Sequence, residues 1–158
     1  MATSITAATL TVTITEAISL NGQDKGSTNS TTVTSVTEVS QRIVAVPTSE
    51  ITILAFQATN PGAGTFDEAD VRYIRITNKD NTNFVQLTFR DENSTEFAVK
   101  LDAGKSFMWS CDNSGGVVDT MIASGSALTV PSTFADLVDI TAVANTAECD
   151  LEYFVAGV

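Results

Sequence analysis

The sequence lacks histidine completely and contains only two cysteines, three prolines and one tryptophan. Histidine is the most usual general base and the most usual transition-metal ligand in proteins, so its absence removes the simplest mechanism of most enzyme classes. No serine stands in a Gly-x-Ser-x-Gly motif, and neither Cys111 nor Cys149 has a histidine to activate it. We therefore expect a protein that is not an enzyme and binds no cofactor, with both cysteines acting as buried small hydrophobic residues.

Basic side chains are scarce as well, with eight Lys and Arg against nineteen acids and a net charge of −11. Every basic residue lies between Lys25 and Lys105, so residues 106–158 carry seven acids and no base. Such a surface repels phosphate backbones and anionic lipid headgroups. We expect the partners to include no nucleic acid and no membrane.

Long apolar runs are also missing from the sequence. No stretch is long and apolar enough to span a bilayer, and residues 1–8 have neither the basic region nor the apolar run of a secretory signal. We therefore expect the chain to be made in a cytoplasm. Its 158 residues are enough for one domain whose core needs no disulfide or metal.

What the sequence has instead is alternation of period two, most clearly from Val71 to Trp109. Apolar and polar residues alternate there in four segments, which are separated by loops rich in Asn, Asp and Gly. The spacing predicts four consecutive antiparallel strands, joined by hairpins into one sheet with an apolar face. The core residues predicted from this alternation are Ile74, Ile76, Leu87, Phe89, Val99, Phe107 and Trp109.

A second alternating segment runs from Thr9 to Leu20, with threonines on one face. It is longer than most strands, which predicts an arm that joins a neighbouring subunit by strand addition. Asn21-Gly22 is a turn signal, and residues 23–32, rich in Ser, Thr, Asn and Gly, predict a mobile loop. We expect residues 1–32 to form this arm and loop within the same domain, and residues 33–158 to form the body. The predicted assembly residues are Leu10, Val12, Ile14, Ile18 and Leu20.

The remaining segments complete an all-β pattern, with short strands also predicted at Val117–Ile122 and Ala127–Val130. Turn signals recur every 8–12 residues or so, about ten strands can be counted, and no helix is convincing. This pattern predicts an antiparallel β-sandwich that resembles a jelly roll.

Two groups of side chains suggest ligand binding, and each also has a structural interpretation. Asp67, Glu68 and Asp70 offer oxygen ligands for a hard cation, but their spacing is not that of a known calcium loop, which favours a solvated acidic loop. Trp109, Phe107 and Tyr73 would suit a platform for sugar stacking, but aromatic residues in phase on adjacent strands are more often core. We assign no metal to the chain and favour the core for the aromatic residues.

The middle of the chain resembles known proteins in three segments, namely Tyr73–Asn78, Asn83–Leu87 and Phe97–Phe107. The last of these contains a Leu-x-Ala-Gly turn at residues 101–104. Together the segments are similar to neighbouring strands in small β-rich virion proteins of tailed bacteriophages. The resemblance implies a structural virion component, and it brings no catalytic or binding residue with it. Capsid decoration or cement proteins of that class are similar in size, acidity and Thr-rich composition. The implied partners are the major capsid protein lattice and further copies of the chain, as a dimer or trimer on the capsid surface of the virion.

Two alternatives stay open at this point. A tail, baseplate or fibre subunit would share the β composition, although such subunits usually belong to longer or repeat-bearing chains. A carbohydrate-binding jelly-roll module would differ by exposing Trp109 and other aromatic residues in one row.

Overall fold

The computed structural model describes residues 4–59, 61–62, 64–123 and 130–158. Within these residues the protein is all-β, with thirteen strands and no helix, and therefore no helix that could span a membrane. The strands are β1 (Ala8–Glu16), β2 (Ser19–Leu20), β3 (Gln23–Asp24), β4 (Ser27–Val36), β5 (Glu38–Val46), β6 (Ile51–Gln57), β7 (Thr65–Asp67), β8 (Val71–Asn78), β9 (Val85–Asp91), β10 (Glu96–Leu101), β11 (Ser106–Ser110), β12 (Leu137–Ala144) and β13 (Cys149–Gly157).

The body is a sandwich of two sheets with the strand orders β10-β9-β12-β6-β7 and β11-β8-β13-β5. If the short β7 is set aside, eight strands remain, and they pair from the outside inward. The first pairs with the last (β5 with β13), and the next pairs are β6 with β12, β8 with β11 and β9 with β10. A long antiparallel ribbon rolled up in this way is a jelly roll, as the alternation of apolar residues predicts. The strand β7 is an addition that pairs in parallel with β6.

The stretch from Val71 to Trp109 does not form one sheet, so that prediction is wrong. Strands β8 and β11 pair with each other in the four-stranded sheet, whereas β9 and β10 pair in the opposite sheet. The loop after β8 crosses between the sheets because Asn78 holds it there. Its side-chain amide donates to the carbonyl oxygens of Asn83 (2.9 Å) and Leu101 (3.1 Å), and its side-chain oxygen accepts from the backbone N–H of Asp80 (3.0 Å).

The hydrophobic core lies between the two sheets. Ile74 and Ile76 from β8 and Leu87 and Phe89 from β9 are fully buried, so the two opposed sheets meet through these side chains. Burial of large aliphatic and aromatic side chains supplies most of the favourable free energy of folding. Partly buried residues close the core along its edge, namely Val99, Phe107 and Trp109.

Three local predictions are compared with the structure here. The predicted acidic loop at Asp67, Glu68 and Asp70 begins in the strand β7, because Thr65–Asp67 pair in parallel with Ala55–Gln57. The predicted strand at Val117–Ile122 is absent from the described chain apart from an isolated bridge between Met121 and Ala135. Of the predicted strand at Ala127–Val130, residues 127–129 lie outside the described residues, and Val130 is exposed and not in a strand.

Residues 23–32, predicted to be a mobile loop, lie largely in strands. Residues 23–24 form β3, and residues 27–36 form β4, which pairs antiparallel with β1 and runs across the predicted boundary at residue 32. The twelve-residue strand predicted at Thr9–Leu20 is interrupted, since β1 ends at Glu16 and β2 begins at Ser19. Residues 8–36 thus form one long hairpin, called the hairpin arm below.

Candidate assembly site

The hairpin arm is closed by a two-residue turn at Asn21-Gly22, where φ is 52° and 77°. Positive φ at both central residues defines the type I′ turn that Asn-Gly favours and that matches the twist of paired strands. The pairing of β2 with β3 continues the register of β1 with β4, and the backbone N–H of Lys25 donates to the carbonyl of Ile18 (2.9 Å) between them. The arm therefore stays paired from its base to its tip, although its strands are interrupted.

Gly26 allows the interruption in the arm. A Cβ atom at this position would lie 2.3 Å from the carbonyl oxygen of Glu16, closer than real Cβ contacts approach backbone. The backbone N–H of Gly26 donates to the side chain of Asp24 (2.8 Å), which fixes the local bend. The sequence contained the signal, a glycine opposite an alternating strand, which commonly marks close approach of another backbone.

The two faces of the hairpin arm differ in chemistry. Residues directly opposite in an antiparallel pair share a face, so Thr11, Thr13 and Thr15 lie beside Thr32, Ser30 and Thr28. These hydroxyls bond across the strands, with 2.9 Å between Thr13 and Ser30 and 3.3 Å between Thr15 and Thr28. This pairing also explains why a segment rich in Ser, Thr and Asn is ordered.

The opposite face of the arm carries the aliphatic side chains of residues 10–20, and its base packs on the body. Leu10 and Val12 are half-buried against a second cluster that includes Tyr73 of β8 and Phe154 of β13. The two rings lie edge to face with their centroids 6.1 Å apart. This cluster lies on the surface of the four-stranded sheet that is turned away from the core, called the outer sheet face below.

Beyond Val12 the same aliphatic face is not covered. The side chains of Ile14, Ile18 and Leu20 are 40%, 54% and 57% exposed. Asn29 and Gln23, which lie opposite Ile14 and Leu20, are exposed as well. In the described part of the chain, the hydrogen bonds of residues 8–36 all stay within the arm. The five predicted assembly residues are thus divided into two that pack on the body and three that are exposed near the tip.

The outer sheet face carries a further exposed aliphatic pair that sequence reasoning missed. Val39 and Ile43 of β5 are 57% and 58% exposed and lie opposite Ala156 and Glu152 of β13. Glu152 forms an ion pair with Arg75 (2.6 Å), whose hydrogen bond holds the pKa of the Glu152 carboxyl below its ordinary value. The signal was present as alternation in β5, but alternation alone does not tell which face of a strand lies outside.

The acidic residues Asp67, Glu68 and Asp70 do not converge on a common point. The Asp67 carboxylate accepts from the backbone N–H of Ala69 (3.0 Å), while the carbonyl of Asp70 accepts from the N–H of Val158 (3.0 Å). Glu68 is buried, and desolvation, followed by repulsion from Asp136, raises the pKa of its carboxyl. Across the described residues, no group of three or more Asp, Glu, His or Cys side chains could hold a metal ion.

The aromatic candidates do not form an exposed row. Phe107 and Trp109 point into the sandwich, where their ring centroids lie 4.9 Å and 5.7 Å from that of Phe89. Tyr73 lies on the outer sheet face under the arm. The three side chains are therefore distributed over both faces of the four-stranded sheet, a geometry unsuited to one stacking platform.

Both thiols are buried within the sandwich. Burial raises the pKa of Cys111 to about 12, so its thiol is not ionised at neutral pH. Because the thiolate is the reactive form, this environment suppresses nucleophilic chemistry at Cys111.

Comparison with known proteins gives one distant structural match. No protein-family model and no curated protein matches the chain. A solved structure described as "Bacillus endospore appendages form a novel family of disulfide-linked pili" matches with a TM-score of 0.45 and 12% sequence identity. The match covers 75% of this chain and 81% of that chain. A similarity of this size carries no inference about what the chain does.

Proposed function

We propose that the protein is a non-enzymatic structural subunit that joins a larger assembly through the tip of its hairpin arm. The observation that carries this proposal is the exposure of three aliphatic side chains toward the tip, Ile14, Ile18 and Leu20. Glu16, which lies between Ile14 and Ile18 in the sequence, accepts a hydrogen bond from Ser27 within the arm (2.6 Å). A two-stranded hairpin without further cover is marginally stable in water, so an aliphatic row on such a hairpin favours contact with another protein. The absence of histidine from the sequence and the raised pKa of Cys111 support the lack of a catalytic role.

We further propose that this assembly is the virion of a tailed bacteriophage and that the chain is a capsid decoration or cement protein. Support comes from the resemblance of the middle segments to small β-rich virion proteins, and from the jelly-roll topology, which occurs in viral capsid domains and also in lectins. In this proposal the chain is made in the host cytoplasm and lies on the capsid surface. Its partners are the major capsid protein lattice and further copies of itself.

A tail, baseplate or fibre subunit is the alternative that would use the same arm. The carbohydrate-binding alternative is less well supported, because Phe107 and Trp109 pack against Phe89 and do not form an exposed row.

The test replaces the exposed residues and keeps the arm. Deleting residues 1–20 would also remove Leu10 and Val12 and uncover Tyr73, so it would confuse folding with assembly. The double variant Ile18→Thr, Leu20→Thr places β-branched side chains, which favour strands, at both positions and removes the aliphatic contact. Thr13→Ser on the hydroxyl face is the matched control.

Co-sedimentation with empty shells of the major capsid protein and sedimentation velocity of the chain alone are the measurements. We expect the parent and the control to pellet with shells and to sediment as a homo-oligomer, and the double variant to lose both properties while melting at the parent temperature. If the parent stays monomeric and never pellets with shells, the cement proposal fails and a tail or glycan-binding role replaces it.

A further inference from the structure

We infer that the tip of the hairpin arm docks on the outer sheet face of a second copy of this chain, against Val39 and Ile43 of its strand β5. This inference rests on the assembly role proposed for the arm and identifies the surface that receives it. Four features support it: the cover already present at the base of the arm, the length of β5, the distribution of charge, and the position of both surfaces on one side of the molecule.

The base of the arm shows what kind of surface fits its aliphatic face. Leu10 and Val12 are covered by Tyr73 and Phe154, which belong to the outer sheet face of the same chain. Ile14 continues this row along the same strand face, because residues two apart in a strand point the same way. The uncovered part of the row therefore needs a similar surface, an outer sheet face with apolar side chains.

Strand β5 is the sheet edge most open to such a contact. It has nine residues, whereas the other edge strands of the two body sheets, β10, β11 and β7, have six, five and three. Among the described strands it pairs only with β13. Proteins usually protect edges by keeping them short or charged, so a long edge with two exposed aliphatic residues, Val39 and Ile43, favours association.

Charge also favours contact between these two parts. Residues 8–46, which contain the arm and β5, hold three acids and two bases and so carry only −1 of the net charge of −11. Two copies of a strongly acidic protein repel each other, and the repulsion is smallest where the surfaces are close to neutral. The arm and β5 are therefore the part of the chain through which copies can approach most easily.

The two surfaces lie on the same side of the molecule. The base of the arm packs on the outer sheet face, and Val39 and Ile43 belong to that same face. The arm of one copy can therefore contact β5 of a second copy, and the arm of the second copy can contact β5 of the first. Such a reciprocal contact is isologous, the usual arrangement in homo-oligomers.

The experiment compares single lysine substitutions by sedimentation velocity and multi-angle light scattering of the full chain. Ile43→Lys tests the receiving surface, Ile18→Lys tests the arm, and Ala98→Lys, on an exposed position of the opposite sheet, is the control. All three positions are exposed, so we expect the variants to melt with the parent. We expect Ile43→Lys and Ile18→Lys each to weaken self-association roughly tenfold or more, because an unpaired ammonium would be buried, and Ala98→Lys to leave it unchanged.

A crosslink between separate chains gives the second readout. Chains with Leu20→Cys are mixed with mass-tagged chains carrying Ile43→Cys and oxidised, and we expect a disulfide between the two kinds of chain that is absent when Ala98→Cys replaces Ile43→Cys. If Ile18→Lys dissociates the parent oligomer but Ile43→Lys does not and no crosslink forms, the receiving surface is wrong and the arm keeps its role. If neither lysine variant changes self-association, the proposed function fails together with this inference.

Discussion

Removal of the Phe89 side chain is the strongest test of the core, because the ring is fully buried and has three aromatic neighbours. Its centroid lies 4.8 Å from Phe97 in a stacked pair, 4.9 Å from Phe107 and 5.7 Å from Trp109. Neighbours from both sheets and from the edge strands cannot all relax into the space of a missing phenyl ring. We expect Phe89→Ala to lower the free energy of unfolding by about 3–5 kcal/mol, which for a chain of this length lowers Tm by roughly 6–20 °C.

Urea unfolding followed by the fluorescence of Trp109, the single tryptophan, measures this effect beside the ring that is removed. Phe97→Ala is the matched control, because the same substitution at a side chain that is 36% exposed leaves a smaller cavity and should shift the midpoint less. The urea dependence should stay the same in all three proteins if only stability changes. A Phe89→Ala midpoint equal to that of the parent would show that the inward face of β9 is assigned wrongly.

Two further predictions concern buried polar groups. Asn78→Ala removes the donor to the carbonyls of Asn83 and Leu101, and it should lower the free energy of unfolding by about 1–3 kcal/mol for each carbonyl. The control Asn81→Ala, on the same loop, should melt with the parent. Equal losses of stability in the two variants would contradict the role of Asn78. Glu68→Gln should stabilise the protein at neutral pH. The pKa of the Glu68 carboxyl is raised above 4.5 in the folded state, so between these two pKa values the folded state binds this proton more tightly than the unfolded state does. The free energy of unfolding therefore falls as pH rises from 4.5 through the raised pKa. Urea midpoints of the parent and Glu68→Gln should therefore converge at low pH, and parallel curves at every pH would refute the assignment.

The sandwich class follows from the sequence because alternation of period two reports burial on one side of a strand. Leu87 and Phe89 alternate with Gln86 and Thr88, and the structure places both apolar residues at full burial. The turn at Asn21-Gly22 is equally local, since only a few residue pairs adopt positive φ twice in succession. Features that depend on one residue and its immediate neighbours could therefore be predicted from the sequence.

The assignment of strands to sheets could not be predicted from the sequence, because a loop rich in Asn and Asp can close a hairpin or cross between sheets. The loop after β8 crosses because the Asn78 amide reaches Leu101, more than twenty residues away, a partner that local sequence does not reveal. The secondary structure of the arm also depends on a partner that is distant in sequence. Residues 23–32 have the composition of a disordered loop, and they become a strand only because β1 supplies matching hydroxyls and backbone groups.

The arm residues of the candidate site could be predicted from the sequence, but their division into packed and exposed residues could not. Alternation from Thr9 to Leu20 selects these aliphatic residues, but it cannot tell that Leu10 and Val12 pack on the body whereas Ile18 and Leu20 are exposed. That division depends on where the arm leaves the outer sheet face, which is a tertiary property. It also motivates the proposed contact, because Leu10 and Val12 show one surface on which this side of the arm packs. The arm continues from Val12 to a well-formed turn at Asn21-Gly22, and in the proposed contact a second copy covers this outer part.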